Sequence, residues 1–209
     1  MKSESIWFYS PYKKDYIQNE KSIIEHSKLD EAIYLKENYS HFLDDFRFLW
    51  DEFNSNYFGN YDKFDEVQYP KGSWKKLLFK VWGLKRYKNI NKFNSIKNLL
   101  SHYPRITSCF IARLAPNSKV LTHSGETDAI IRIHLGLKIP ECGQNICSIK
   151  IGEDIMDWQN GGVFAFNDAC EHEAWNNTNE FRYILVVDVL KNKIENQLNS
   201  VNIRMGSIP

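Results

Sequence analysis

From Ile106 onward the chain breaks into short segments rich in β-branched and aromatic residues, divided by Gly, Asn and Pro. Ser108–Leu114, Ala129–Leu137, Ile146–Ile151, Gly162–Phe166, Glu171–Trp175 and Phe181–Val189 each have the length and composition of a strand. Short strands at this spacing predict a sandwich or barrel.

The first 70 residues have a different texture, helical and loop-like. Ser40 to Tyr57 places Phe42, Phe46, Leu49, Trp50 and Phe53 at helix-compatible spacing, with Asp44, Asp45, Asp51 and Glu52 on other faces. Asn19 to Asn38 is a weaker helix candidate. A further helix is expected from Asn91 to about His102, ended before Pro104. Tyr69-Pro70-Lys71-Gly72 and Gly161-Gly162 are turn signals. The expected organisation is a helical extension over 1–71, a β core over 72–190 and a polar tail, helix or loop, over 191–209.

With 27 Lys and Arg against 26 Asp and Glu, the charge balance argues against nucleic acid or an anionic membrane as a bulk partner. The first residues carry no apolar run and no small-residue cleavage site, and the longest late apolar run, Tyr183–Val187, is too short to span a bilayer. These features lead us to expect a soluble, cytoplasmic chain without stable membrane association. Cys109, Cys142, Cys147 and Cys170 form no C-x-x-C pair, so reduced thiols are expected.

Two histidines stand apart from the rest. His123 precedes Ser124-Gly125, a turn leading into a strand, and follows the loop Ala115-Pro116-Asn117-Ser118-Lys119; His172 begins or sits in a later strand. In a sandwich such positions can converge at one mouth, and imidazole suits Fe(II), Zn or Cu. Arg132 and His134, at i and i+2, share one face of a strand. Arg182 opens the run Tyr183-Ile184-Leu185-Val186, and an arginine inside apolar strands is seldom buried without a partner. Two readings stay open. Arg132 and Arg182 either hold a carboxylate-bearing ligand beside a metal or pair internally with Asp168, Glu171 or Asp188. Trp175 reads as core, and Asp168, Glu171 or Glu173 is a candidate acceptor for the free ring N–H of His172.

The stretches "RIHLGLKIP", "VFAFNDACEHEAWNNT" and "FRYILVVDVL" resemble the aspartyl/asparaginyl β-hydroxylase family of 2-oxoglutarate-dependent, non-haem iron dioxygenases. The resemblance runs from Gly72 to Asp188 and implies a double-stranded β-helix (jelly-roll, cupin-like) core with N-terminal helices. It implies His123 and His172 as the iron(II) ligands and Arg182 as the anchor for the distal carboxylate of 2-oxoglutarate, with Arg132 and His134 as further co-substrate contacts. It also implies dioxygen as co-substrate, and succinate and carbon dioxide as by-products. Most non-haem iron oxygenases add a carboxylate ligand two residues after the first histidine. Here that place is Gly125, as the family lacks the acid, and Glu126 falls one residue too far along. Gly125 alone does not separate hydroxylation from halogenation; the surrounding "HLGL" and "EHEAWN" stretches favour hydroxylation.

The chain also departs from the peptide-hydroxylating members. They tend to carry basic residues where this chain has Phe110 and Ile130, and a serine at Ala112. An acidic side chain would meet an apolar wall there and be desolvated without a partner. The expected substrate is therefore a free or carrier-bound amino acid or a small peptide. A lipid-acyl hydroxylase and a catalytically silent jelly-roll are the alternatives. A closed structural zinc site has too few ligands.

Overall fold

The computed structural model describes residues 21–51, 56–59, 67–125 and 127–191. Glu126, the polar tail beyond Lys191 and the start of the Asn19–Asn38 candidate lie outside the described residues. In chain order the elements are β1 (Ile23–Ile24), α1 (Asp30–Glu37), α2 (Tyr39–Phe46), β2 (Gln68–Tyr69), β3 (Trp74–Val81), β4 (Leu84–Lys85), α3 (Tyr87–Ile90) and α4 (Asn94–His102). The β region follows as β5 (Ile106–Leu114), β6 (Ser118–His123), β7 (Ile130–Lys138), β8 (Cys147–Ile151), β9 (Asp154–Asp157), β10 (Val163–Phe166), β11 (His172–Asn176) and β12 (Arg182–Leu190).

The strands form two antiparallel sheets. The larger has the order β1-β10-β7-β12-β5-β3-β4 and the smaller β2-β6-β11-β8-β9. From β5 to β12 the chain passes repeatedly from one sheet to the other, with β5, β7, β10 and β12 in the larger and β6, β8, β9 and β11 in the smaller. That path is a double-stranded β-helix, as expected.

Side-chain alternation along the larger sheet builds two cores. Tyr183, Leu185, Val187 and Val189 of β12, with Ile111 of β5 and Ile133 and Leu135 of β7, pack outward against Leu35, Phe42, Phe46, Phe93 and Leu99 of the helical layer. Ile184 and Val186 point the other way and join Phe110, Ala112, Phe164, Phe166, Ile149 and Ala174 between the sheets. Both faces of the larger sheet are thus covered, so its strands read as continuous apolar runs. A buried, bidentate pair ties the helical layer to the sheet: Arg105, just before β5, donates to Glu31 of α1 at 2.5 and 2.6 Å.

Several expectations need correction. The helix predicted over Ser40–Tyr57 ends its α-helical part at Phe46, continues as a 3-10 segment over Arg47–Trp50, and gives way to extended backbone at Asp51. Its three consecutive large side chains have separate places: Phe48 stacks on Phe93, Leu49 is buried, and Trp50 lies on Tyr183 with centroids 4.3 Å apart. The Asn19–Asn38 candidate resolves, where described, into β1, a 3-10 turn at His26–Lys28, and the short α1. Ser118 and Lys119 belong to strand β6, with His123 its last residue. Trp175 is half-buried on the outer face of β11 and donates to the carbonyl of Asn145, so it is not core. All four cysteines are free thiols. No helix among the described residues is long and apolar enough to cross a membrane.

Candidate active site

Strands β6 and β11 are neighbours, and their register sets His123 directly opposite His172. The two rings lie 4.3 Å apart between centroids. Each ring uses Nδ1 on a backbone carbonyl two residues earlier: Leu121 for His123 at 2.7 Å and Cys170 for His172 at 2.8 Å. A carbonyl only accepts, so Nδ1 carries the proton and Nε2 keeps its lone pair. The acceptor for His172 is therefore the Cys170 backbone, not one of the flanking acids. Glu171 is exposed, and Glu173 accepts a hydrogen bond from Thr122 on the outside of the sheet.

Burial favours the uncharged form of both rings. It is the largest effect on each, and in His172, helped by the neighbouring His123, it takes the pKa down to about 3. Two adjacent neutral imidazoles, each with Nδ1 occupied and Nε2 keeping its lone pair, suit a divalent transition metal. Among the described residues no cluster of three or more His, Cys, Asp or Glu side chains has ligand geometry. The place of a third ligand is instead closed off at Gly125. A Cβ there would lie 1.9 Å from Asp168 Oδ2 and 2.8 Å from the Asp168 carbonyl oxygen, which accepts the Gly125 N–H at 2.7 Å. Asp168 thus occupies the volume that a side chain two residues after His123 would need.

The cavity running inward from the histidines is lined by Trp74, Phe110, Ala112, Val120, Ile149, Phe166, Ala174, Ile184 and Val186, with Arg132, His134, Trp158 and Arg182 as its further polar groups. The two arginines differ. Arg132 faces Asp188 across the β7–β12 register and holds it through Nε at 2.7 Å and Nη2 at 3.0 Å. Its Nη1 lies 2.5 Å from Asp168 Oδ1, off the line a hydrogen bond requires, so that oxygen retains acceptor capacity. The same oxygen is 3.8 Å from His172 Nε2. For Arg132 the internal-pairing alternative is what the fold shows.

Arg182 is only 2% exposed, and no carboxylate among the described residues lies within ion-pair distance of it. Its guanidinium rests 4.3 Å over the Trp158 ring, and its Nε has no hydrogen-bond partner among the described residues. Burial lowers its pKa to about 10, which leaves it charged at neutral pH. His134 is equally buried, with Nδ1 unpartnered, and burial followed by the charges of Arg132 and Arg182 holds it neutral. Unmade hydrogen bonds at buried cationic and polar groups are costly, so this corner is built for an acceptor from outside the chain. A small carboxylate fits it.

Ile130 is buried but is not among the cavity-lining residues, which removes half of the apolar wall expected from the sequence. Phe110 does line it, and Lys76 of β3 lays its ammonium 4.7 Å from that ring and 4.0 Å from Trp74. A cation therefore flanks the wall after all, supplied by the neighbouring strand.

The sequence profile of a family described as aspartyl/asparaginyl β-hydroxylase matches residues 36–192. The chain is 31% identical over 118 residues to the ornithine lipid ester-linked acyl 2-hydroxylase of Rhizobium tropici, covering 56% of this chain and 42% of that one. It is 34% identical over 130 residues to human aspartyl/asparaginyl β-hydroxylase, covering 60% and 17%. The match thus spans less than half the length of either relative. A solved oxidoreductase of the 2OG-Fe(II) oxygenase family from Burkholderia pseudomallei superposes with a TM-score of 0.45 and 16% identity, over 62% of this chain and 75% of that one.

Proposed function

The chain belongs to the aspartyl/asparaginyl β-hydroxylase family, and from that premise we propose that it is an iron(II)- and 2-oxoglutarate-dependent dioxygenase. Its reaction is the hydroxylation of an unactivated carbon of an amino acid, a carrier-bound amino acid or a small peptide. The observation that carries this reading is one cavity holding two adjacent, neutral imidazoles and a buried arginine with no carboxylate partner among the described residues.

In this reading His123 and His172 hold iron through Nε2, their orientation fixed by the Leu121 and Cys170 carbonyls. Arg182 takes the distal carboxylate of 2-oxoglutarate, with neutral His134 beside it. Arg132 lines the same cavity, and because its fork is engaged by Asp188 its main part is to hold Asp168 against the ligand histidine. The apolar wall excludes water from the reacting carbon. When bound, iron with 2-oxoglutarate and dioxygen supplies the oxidising power that turns C–H into C–OH and releases succinate and carbon dioxide.

A second reading, hydroxylation of a lipid acyl chain, draws on the Rhizobium relative and on the apolar lining from Phe110 to Val186. Succinate formation stimulated by an acylated lipid but not by amino acids or small peptides would select it.

The test of the class is an anaerobic titration of metal-free protein with Fe(II) and 2-oxoglutarate. A visible charge-transfer band that fades on admitting oxygen, with succinate appearing, is expected. His172→Ala should abolish both signals in a folded protein. Absence of the band in the folded parent chain would leave a silent binding module.

A further inference from the structure

The anion corner holds one more donor that neither the sequence reading nor the family comparison singles out. Trp158 is 4% exposed, lines the cavity, and has a buried Nε1 with no acceptor among the described residues. Buried indole N–H groups are normally partnered. Trp175, by contrast, donates to Asn145 at 2.9 Å. Among the described residues Trp158 is the only tryptophan left in this state.

Its placement is not loose. Trp158 directly follows β9, where the Asp157 carboxylate accepts from Ser148 Oγ and from the Asn145 amide. Directly after it, the turn Gln159–Gly162 is tied to β7. Gly136 donates to the Gly162 carbonyl at 3.0 Å and accepts from Gly161 at 2.9 Å, while Asn160 bonds both backbone groups of Ile139. Gly136 permits that close seating, since a Cβ on it would meet the Gln159 carbonyl oxygen at 2.0 Å. The ring is therefore clamped from both sides in sequence. One face carries the Arg182 guanidinium, and the His134 ring lies 6.0 Å away at 25°.

We propose that the Trp158 Nε1–H is a ligand-binding donor that, with Arg182, grips the distal carboxylate of the co-substrate. The indole thus has two roles: its face seats the guanidinium and its edge supplies a neutral N–H to the same anion. Ala112 lines this cavity without a hydroxyl, so the indole offers a neutral donor that the methyl cannot. Selectivity for a dicarboxylate over a monocarboxylate then rests on a pair of donors rather than on arginine alone. This inference rests on the co-substrate reading above.

The test uses the full chain loaded with zinc(II), a diamagnetic and redox-inert stand-in, titrated with 2-oxoglutarate. The indole ¹H–¹⁵N resonance of Trp158, assigned by triple-resonance NMR, should move downfield as the site fills. Trp158→Phe keeps an aromatic face and removes the donor. It should weaken 2-oxoglutarate about tenfold, the loss of one hydrogen bond to a charged group. The affinity for 2-oxobutyrate, which lacks the distal carboxylate, should stay within about twofold. If 2-oxoglutarate binds while the Trp158 resonance stays still, or the Phe variant binds it as tightly as the parent, the proposal is overturned and the co-substrate reading survives. If the parent chain binds no 2-oxoglutarate, both fall together. The resonance readout stands whether or not the Phe variant folds.

Discussion

Arg132 and Arg182 sit on adjacent strands of one sheet, face the same cavity and are both largely buried, yet their surroundings are opposite. Arg132 is enclosed by Asp188 and Asp168; Arg182 has an indole beneath it and no carboxylate among the described residues within reach. A buried guanidinium that satisfies its fork internally is part of the scaffold. One that does not keeps its binding capacity for something the chain does not supply. Residue type is the same in the two cases and both side chains enter one cavity, so the difference comes from what stands across the register. For Arg132 that is Asp188, and for Arg182 it is Leu114.

The contrast is broken most sharply by replacing each arginine with Met. Arg132→Met should cost roughly 3–5 kcal/mol in urea denaturation, because it strands two buried carboxylates. Arg182→Met should leave stability within about 1 kcal/mol of the parent or raise it, since no buried partner is abandoned. It should nonetheless weaken 2-oxoglutarate binding roughly a hundredfold. Equal destabilisation by the two changes would show that Arg182 is scaffold as well.

A smaller effect should follow Gly125→Ala. The new methyl would collide with the Asp168 carboxylate that Arg132 helps to hold, so a loss of roughly 1–3 kcal/mol is expected, with weaker metal binding. A neutral result in both denaturation and metal titration would mean that Asp168 is free to swing away, and that the Arg132 corner is less fixed than the distances imply.

The gentlest probe is pH. The unfolded chain protonates its imidazoles near 6.5, whereas burial takes His172 down to about 3 and lowers His123 and His134 as well. Between those values the unfolded state binds more protons, so stability is complete above about pH 6.5 and is lost as pH falls toward 3. Denaturation midpoints of the metal-free chain should therefore decline from pH 7.5 to 5, and less steeply in His134→Phe. A flat profile over that window would mean the rings take up protons in the fold as readily as in the unfolded chain.

Much of this arrangement was legible beforehand, for identifiable reasons. The six strands read from β-branched and aromatic runs lie within two residues of β5, β7, β8, β10, β11 and β12, most plainly in β5 and β12, where nearly every position of both faces is apolar. Strand β3 has no continuous strand signature in the sequence because Lys75, Lys76 and Lys80 interrupt it. Two of the three have tertiary explanations: Lys80 donates to the Ile106 carbonyl and Lys76 lies over Trp74 and Phe110. Strand β6 is masked in the sequence by the Pro116-Asn117 turn just before it and by its exposed alternate residues. The internal pairing of Arg132 with Asp168 or Asp188 could be weighed in advance but not decided, since register has no local signature. The carbonyls that orient the histidines are backbone groups, invisible to residue type. Trp158, between the polar residues Asp157 and Gln159, has no pattern around it that marks a site; the turn folding back onto Gly136 brings it inside.

The direct opposition of His123 and His172 across β6 and β11 has a consequence for motion. The two side chains belong to segments 49 residues apart, joined there by a ladder between neighbouring strands and by the Gly125–Asp168 and Thr122–Glu173 hydrogen bonds beside it. Fraying of that seam separates the rings even if the rest of the sandwich stays intact. The lifetime of the ligand pair is therefore the lifetime of a few hydrogen bonds. Amide exchange at β6 and β11, rather than global unfolding, is the quantity that reports how often the pair comes apart.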